Sequence, residues 1–421
     1  MTDPTPSCCS EMAQVSGLSR RGLLRGGLAL AGASTVFGST LVTSAPAAAA
    51  AGSDGSVLVV LSLRGAADGM SLVVPHGDPV YYEARPRIAV PADQLLRKDG
   101  FFGFHPVLAP LMPLWDSGRM AVVHATGLPT PNRSHFAAME EVEDANPGSS
   151  VREGWLNRLV GELPGTSPLQ GFHMGSGVVP TSLYGDEPVF AADEVDRVGL
   201  AGADQWDPTG ARPQALRTAW RGAGGHLGRG MEATFDAIAD FEPARQTPHP
   251  GANYPDTELG QALAEVSRVV RGGVGAGVIT VDHGDWDMHA DLGTLEWGDM
   301  RRNAARLADA VGAFFTDLGE TWGSKVTMVV LSEFGRRLVE NANRGLDHGH
   351  GNTMLVLGAG VRGGQHYGTW PELRVGSDAD LLVTTDYRQV LAEVVTRRFS
   401  GASLPGVFPG LSYAPVGFMS Q

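Results

Sequence analysis

The segment Asp282-His283-Gly284-Asp285-Trp286-Asp287-Met288-His289 packs three carboxylates and two imidazoles into eight residues. Trp286 and Met288 alternate with Asp285, Asp287 and His289, so an extended chain places those three polar side chains on one face. Oxygen and nitrogen donors of this kind suit Zn, Mn, Mg or Fe. A second cluster, Gly345-Leu346-Asp347-His348-Gly349-His350-Gly351-Asn352, offers the same donor types between glycines that permit a tight wrap. Ser332-Glu333-Phe334-Gly335-Arg336-Arg337 adds a carboxylate, and Asp68 lies in the small-residue turn Arg64-Gly65-Ala66-Ala67-Asp68-Gly69-Met70-Ser71. Ser134, between Arg133 and His135, precedes a helical pattern over 137–144. A helix start favours anions, and a Ser there also serves as an ordinary N-cap.

These groups need a scaffold that brings distant positions together. Val57–Leu63, Met120–His124, Gly277–Val281, Val326–Leu331 and Thr353–Leu357 are short apolar, β-branched runs, which read as buried strands. Helical patterns cover Val107–Asp116, Glu258–Val270, Asp299–Leu318 and Tyr387–Arg398. Strands alternating with helices predict an α/β fold, a mostly parallel sheet with helices on both faces. In such sheets ligands bind beyond the strand ends, which is where the clusters fall. The Gly- and Pro-rich stretch 146–256 shows helical patches at Pro213–Trp220 and Met231–Phe241 and no clear buried strand. It reads as a helical and loop insertion or cap. His173, His226, His249 and His366 lie in Gly/Pro-rich or variable-looking loops and are expected to be solvated, whereas His76 and His105 stay open between a site and a structural role, a cap for the next helix being the simple one for His105 before Pro106.

The 421 residues carry a formal charge of −14, with Lys only at Lys98 and Lys325. An acidic chain without a basic run argues against nucleic acid and anionic membranes as partners. Both cysteines, Cys8 and Cys9, stand near the start, which leaves the rest of the chain without thiolate ligands, a Cys nucleophile or disulfides. Arg20-Arg21, a weakly apolar run over 26–42 and the small-residue stretch 45–51 have the layout of a twin-arginine export signal. The expectation is a signal over 1–51, the translocation machinery as a partner, no stable membrane anchor, and a folded domain over 52–421 delivered to the periplasm, cell wall or exterior.

Several motifs together resemble the twin-arginine-exported proteins of domain-of-unknown-function family 1501, grouped with the alkaline phosphatase and sulfatase superfamily. They are Asp68-Gly69-Met70-Ser71 with Pro75, Phe102-Gly103-Phe104-His105-Pro106, Arg133-Ser134-His135-Phe136, Gly284 to His289, Ser332-Glu333-Phe334-Gly335-Arg336 and Asp347-His348-Gly349-His350. The resemblance implies an alkaline-phosphatase-like domain that holds one or two divalent metals at strand ends and attacks a phosphate or sulfate ester with a hydroxyl. It casts Asp68 as the first-strand metal ligand and Ser134 as the nucleophile. Asp285 and His289 have the superfamily's Asp-x-x-x-His spacing, with Asp287 as the family's usual Asp before His289. Glu333 stands where an Asp-His pair is expected, with Phe334 in the His place, and Asp347, His348 and His350 become replacement ligands. Pro129 occupies the nucleophile place of the sulfatase pattern, so formylglycine chemistry is not expected.

The reading that results is a metal-dependent hydrolase of small-molecule or polymer phosphate esters, sulfate being the lesser choice. Its divalent metal (Zn, Mn, Mg or Ca) is held by Asp68, Asp285, Asp287, His289, Glu333, Asp347, His348 and His350. Ser134 is the nucleophile, Arg133 stabilises the transition state, and His135 orients Ser134 or acts as an acid. The alternative is a catalytically degenerate member that binds a ligand or partner.

Overall fold

The structure, a computed structural model, describes residues 55–175, 179–200 and 207–420, with the backbone of Ser34–Val36 and Ser39–Val42. The twin arginine and the small-residue stretch 45–51 lie outside the described residues. Nine strands form the main sheet: β1 Val57–Leu63, β2 Met120–Gly127, β3 Gly171–Met174, β4 Val189–Ala192, β5 Val278–His283, β6 Val326–Leu331, β7 Asn352–Gly358, β8 Gln365–Tyr367 and β9 Thr385–Asp386. The spatial order is β4-β3-β5-β1-β6-β7-β2-β8, with β9 also pairing with β2. β4, β3, β5, β1 and β6 are mutually parallel, as are β2, β8 and β9. Only β7 is reversed among these nine, antiparallel to both β6 and β2. Ser39–Val42, inside the expected leader, pairs antiparallel with β4 and with Ser34–Val36.

The central strands are apolar on both sides because both faces are covered. Val59 and Leu61 of β1 enter one core with Leu263 and Val266 of α5 (Glu258–Gly272) and Leu307, Val311 and Phe314 of α6 (Asp299–Gly323). Leu58 and Val60 point the other way. They join Ala138 and Val142 of α1 (His135–Asp144), Leu156 and Leu159 of α2 (Trp155–Glu162), and Val390 and Val394 of α7 (Tyr387–Arg398). The period-two alternation of one strand thus feeds two helical layers.

The 146–256 stretch departs from expectation by supplying two sheet strands, β3 and β4, both fully buried. Its remaining helices include α3 Ala211–Trp220 and α4 Gly225–Asp240. Two histidines expected in solvent are interior. His173 is 2% exposed against Thr280, and His366 packs among Phe102, Trp115 and His124. His105 does cap the following turn, its Nδ1 accepting from the Val107 N–H at 3.1 Å. Among the described residues no helix is long and apolar enough to cross a membrane.

Candidate metal centre

Three loops and one helix start meet at a single rim of the sheet. The loop after β1 turns through left-handed conformations at Gly65 (φ 107°) and Ala66 (φ 56°). The turn aims two successive N–H groups at Glu333 Oε1, at 2.9 and 3.0 Å. A side chain on Gly65 would put its Cβ 2.7 Å from the Asp287 nitrogen, so glycine is required there for closeness as well as for φ. Glu333, just beyond β6, is 2% exposed.

His135 is the first residue of α1, two positions earlier than the sequence pattern suggested. Its Nδ1 lies 2.7 Å from Glu333 Oε1. Beyond β5, buried Trp286 and Met288 anchor the loop and turn Asp287 and His289 outward. Asp285 adopts a left-handed backbone (φ 65°) and faces solvent, outside the cluster. Before β7, Asp347 accepts from His289 Nδ1 at 3.0 Å and from Asn341 at 3.1 Å. His348 Nδ1 lies 2.8 Å from the Arg133 carbonyl oxygen.

These outer contacts fix the tautomers. A carbonyl only accepts, so His348 Nδ1 carries a proton, and in the neutral ring Nε2 then holds the lone pair. The carboxylates of Glu333 and Asp347 do the same for His135 and His289. The freed Nε2 atoms then face one another, His135 to His348 at 2.9 Å and His289 to His348 at 2.9 Å. Asp287 Oδ1 completes the group at 3.4, 3.1 and 3.3 Å from His135, His289 and His348. In neutral rings, lone pairs this close repel unless a proton or a metal ion lies among them. The donor set therefore fits a metal ion, and the ligand atoms of His135, Asp287 and His348 fall within 4.8 Å of one another. Two imidazole nitrogens and one carboxylate oxygen, with His289 Nε2 beside them at 2.9 Å from His348 and 3.1 Å from Asp287, match Zn and its transition-metal neighbours better than Mg or Ca, which take oxygen donors.

Arg336 is the residue the sequence reading left without a role. It is 1% exposed and donates to Asp287 Oδ1 at 2.6 Å, and also to the carbonyls of Gly65, Ala66, Trp286 and Leu346. Its place in the Ser332–Arg336 motif was visible in the sequence, but nothing local marked it as buried. Burial pushes the Asp287 carboxyl up, but the guanidinium outweighs it and holds the pKa at about 2. Burial likewise raises Glu333, and the His135 and backbone donors bring the net shift below the usual range. The Glu333 bond raises the His135 pKa, while burial lowers that of His348.

Other expected ligands are used elsewhere. Asp68, 3% exposed, binds Arg85 through both oxygens at 2.5 and 3.0 Å and takes the Ser71 hydroxyl at 2.5 Å. A carboxylate satisfied by a buried guanidinium has little left for a cation, so Asp68 does not join the cluster. His350 donates from Nε2 to the Leu128 carbonyl at 2.8 Å, which withdraws that nitrogen as a ligand. Glu333 and Asp347 hold imidazoles at their outer nitrogens. Phe334 stacks on His135 with ring centres 5.0 Å apart and walls the centre where a second ligand pair was expected. Among the described residues His135, Asp287 and His348 are the single such group of donors. Ser134 is exposed at the α1 N-cap and makes no side-chain cap bond. The Arg133 guanidinium turns to Asp380.

No curated protein matches the sequence. Among solved structures, one similar chain is a protein in the alkaline phosphatase superfamily from Vibrio parahaemolyticus, 14% identical with a TM-score of 0.31, the match covering 76% of this chain and 64% of that one. The present chain thus spans less than two thirds of that protein. Another is Ps i-CgsB, 12% identical with a TM-score of 0.34, over 74% of this chain and 68% of that one. The sequence profile described as protein of unknown function (DUF1501) matches residues 120–399, which include His135, Asp287, His289, Glu333, Arg336 and His348, and the chain belongs to that family.

Proposed function

We propose that this chain is an exported hydrolase of phosphate esters, with sulfate esters the lesser choice, working with one divalent cation held by His135, Asp287, His289 and His348. The observation that carries the reading is the convergence of three imidazole Nε2 atoms and one carboxylate oxygen, each imidazole fixed from behind. A cation held there supplies Lewis-acid polarisation and charge neutralisation for an ester oxygen. Zinc is the first candidate and manganese or iron the next. Ser134 provides the nucleophile from the exposed start of α1, whose free N–H groups favour an anionic ester beside it. Its Oγ forms a bond to phosphorus as the ester oxygen leaves with a proton, and water then cleaves the phosphoserine. Arg133 contributes through its carbonyl to His348. His135 acts as a ligand and not as an acid. The twin-arginine route suits a centre whose parts meet only after folding.

Elemental analysis of protein purified without chelators, joined to a panel of phospho- and sulfo-esters, tests the reading. About one equivalent of transition metal and hydrolysis lost in Ser134→Ala with metal retained are expected. Full activity in that variant removes Ser134 from the mechanism.

One observation favours a second reading, a degenerate member that binds a ligand or partner. Arg85 on Asp68 and Phe334 in a ligand place take away two positions that a two-cation clamp would use. Metal-replete protein inactive on every ester supports it.

A further inference from the structure

We infer that Arg336 makes this centre selective for a divalent over a trivalent ion, by setting its charge. The inference rests on the metal-binding part of the reading above. Three carboxylates surround the imidazole group: Asp287 within it, and Glu333 and Asp347 behind His135 and His289. A ring that ligates an ion through Nε2 does so as the neutral imidazole, so the three rings add no charge to the occupied centre. The neighbouring cations Arg133 and Arg337 are each matched by an acid, Asp380 and Asp378. Arg336 has its carboxylate contact inside the group, 2.6 Å from the Asp287 oxygen that faces the imidazoles. Its other donors go to carbonyls of the loops after β1, after β5 and before β7.

The guanidinium is therefore an internal, fixed positive charge that cannot be titrated away. With it the three carboxylates amount to a charge of −2, which a divalent ion neutralises and a trivalent ion overshoots. Without it the group stands at −3 and suits a trivalent ion. In a half-screened site one unit charge a few ångströms from the ion acts more strongly on a triply charged ion than on a doubly charged one. Arg336 thus acts on the ion through Asp287 and is a positioning and selectivity residue.

The test uses the full chain, stripped with chelator and titrated with Zn(II) and with redox-inert Ga(III) in buffered competition, comparing the ratio of the two dissociation constants. Arg336→Gln should move the ratio toward Ga(III) by on the order of tenfold or more. Glu333→Gln, which removes a negative charge, should move it toward Zn(II). Arg336→Lys keeps the charge but not the fork, so it should weaken both ions and preserve the ratio. If Arg336→Gln does not fold, Glu333→Gln decides alone. Ratios that stay put, or move the same way in both glutamine variants, overturn the inference while leaving the metal centre standing. A wild-type protein that binds neither ion sinks the centre itself.

Discussion

His135 Nδ1 rests 2.7 Å from Glu333 Oε1, although 198 positions separate the two residues. Glu333 is in turn held by the Gly65 and Ala66 N–H groups and by the Ser332 hydroxyl at 2.9 Å. The carboxylate is rigid, so the ring is rigid, and the opposite nitrogen has one direction to face. His135→Ala should abolish stoichiometric metal binding. Glu333→Gln should keep the ligand and weaken binding by about 10- to 100-fold. Competition against a coloured chelator measures both, and an unchanged affinity in His135→Ala removes that ring from the donor set.

Asp68 gives a contrasting prediction. Its partner Arg85 is fully buried and also donates to the Leu338 carbonyl at 2.9 Å. Removing one member of a buried pair strands the other, at a cost of about 3–5 kcal/mol. Asp68→Ala should therefore lower the melting temperature sharply while the folded fraction keeps its metal. Selective metal loss with unchanged stability would restore Asp68 as a ligand.

Acid should destabilise the metal-free protein through its buried imidazoles. Burial holds His105, His283 and His366 down at about 4 and His124 well below its usual value. His105 and His283 use Nδ1 as an acceptor, from the Val107 N–H and the Trp286 indole, and a proton there destroys the bond. The unfolded chain, with imidazoles near about 6.5, takes up protons first. The imidazole contribution should be full above that value, fall as pH drops toward about 4 and level off below, where Asp287, held at about 2, goes on to lose its own share. Urea titrations of chelated protein across this window test the slope, and His105→Gln should make it shallower.

Metal removal should lower the melting temperature of the wild type, since the ion binds the folded state alone. Re-addition of Zn(II) should restore it, and addition of Mg(II) or Ca(II) should do so far less, because nitrogen donors predominate. Equal recovery with Ca(II) would contradict the assignment of the three imidazoles.

Much of this is legible in the sequence. The five long apolar runs became β1, β2, β5, β6 and β7, because strands buried on both faces must be apolar throughout. β3 and β4 were missed, since Gly171–Met174 and Val189–Ala192 are four residues each, set in Gly- and Pro-rich surroundings. The donor clusters around Asp287 and His348 were legible as composition. Their meeting depends on a fact that no local pattern carries, the reversed direction of β7. The Asp347–Gly351 loop precedes its strand, and a parallel β7 would have carried it to the far edge of the sheet. The split between ligands and their outer supports was equally hidden, because Glu333 and Asp347 have ligand chemistry and only geometry shows where they spend it.

The approach of His135 to His348 spans 213 positions of chain. An ion gripping both rings therefore works as a clasp on a very long loop, and its hold grows with the freedom that closure removes from the open chain. Nascent chains that have made α1 but not β7 own half of the clasp. Loading must wait for the last third of the polypeptide, and a protease probing the ion-free protein should cut where the clasp has let go.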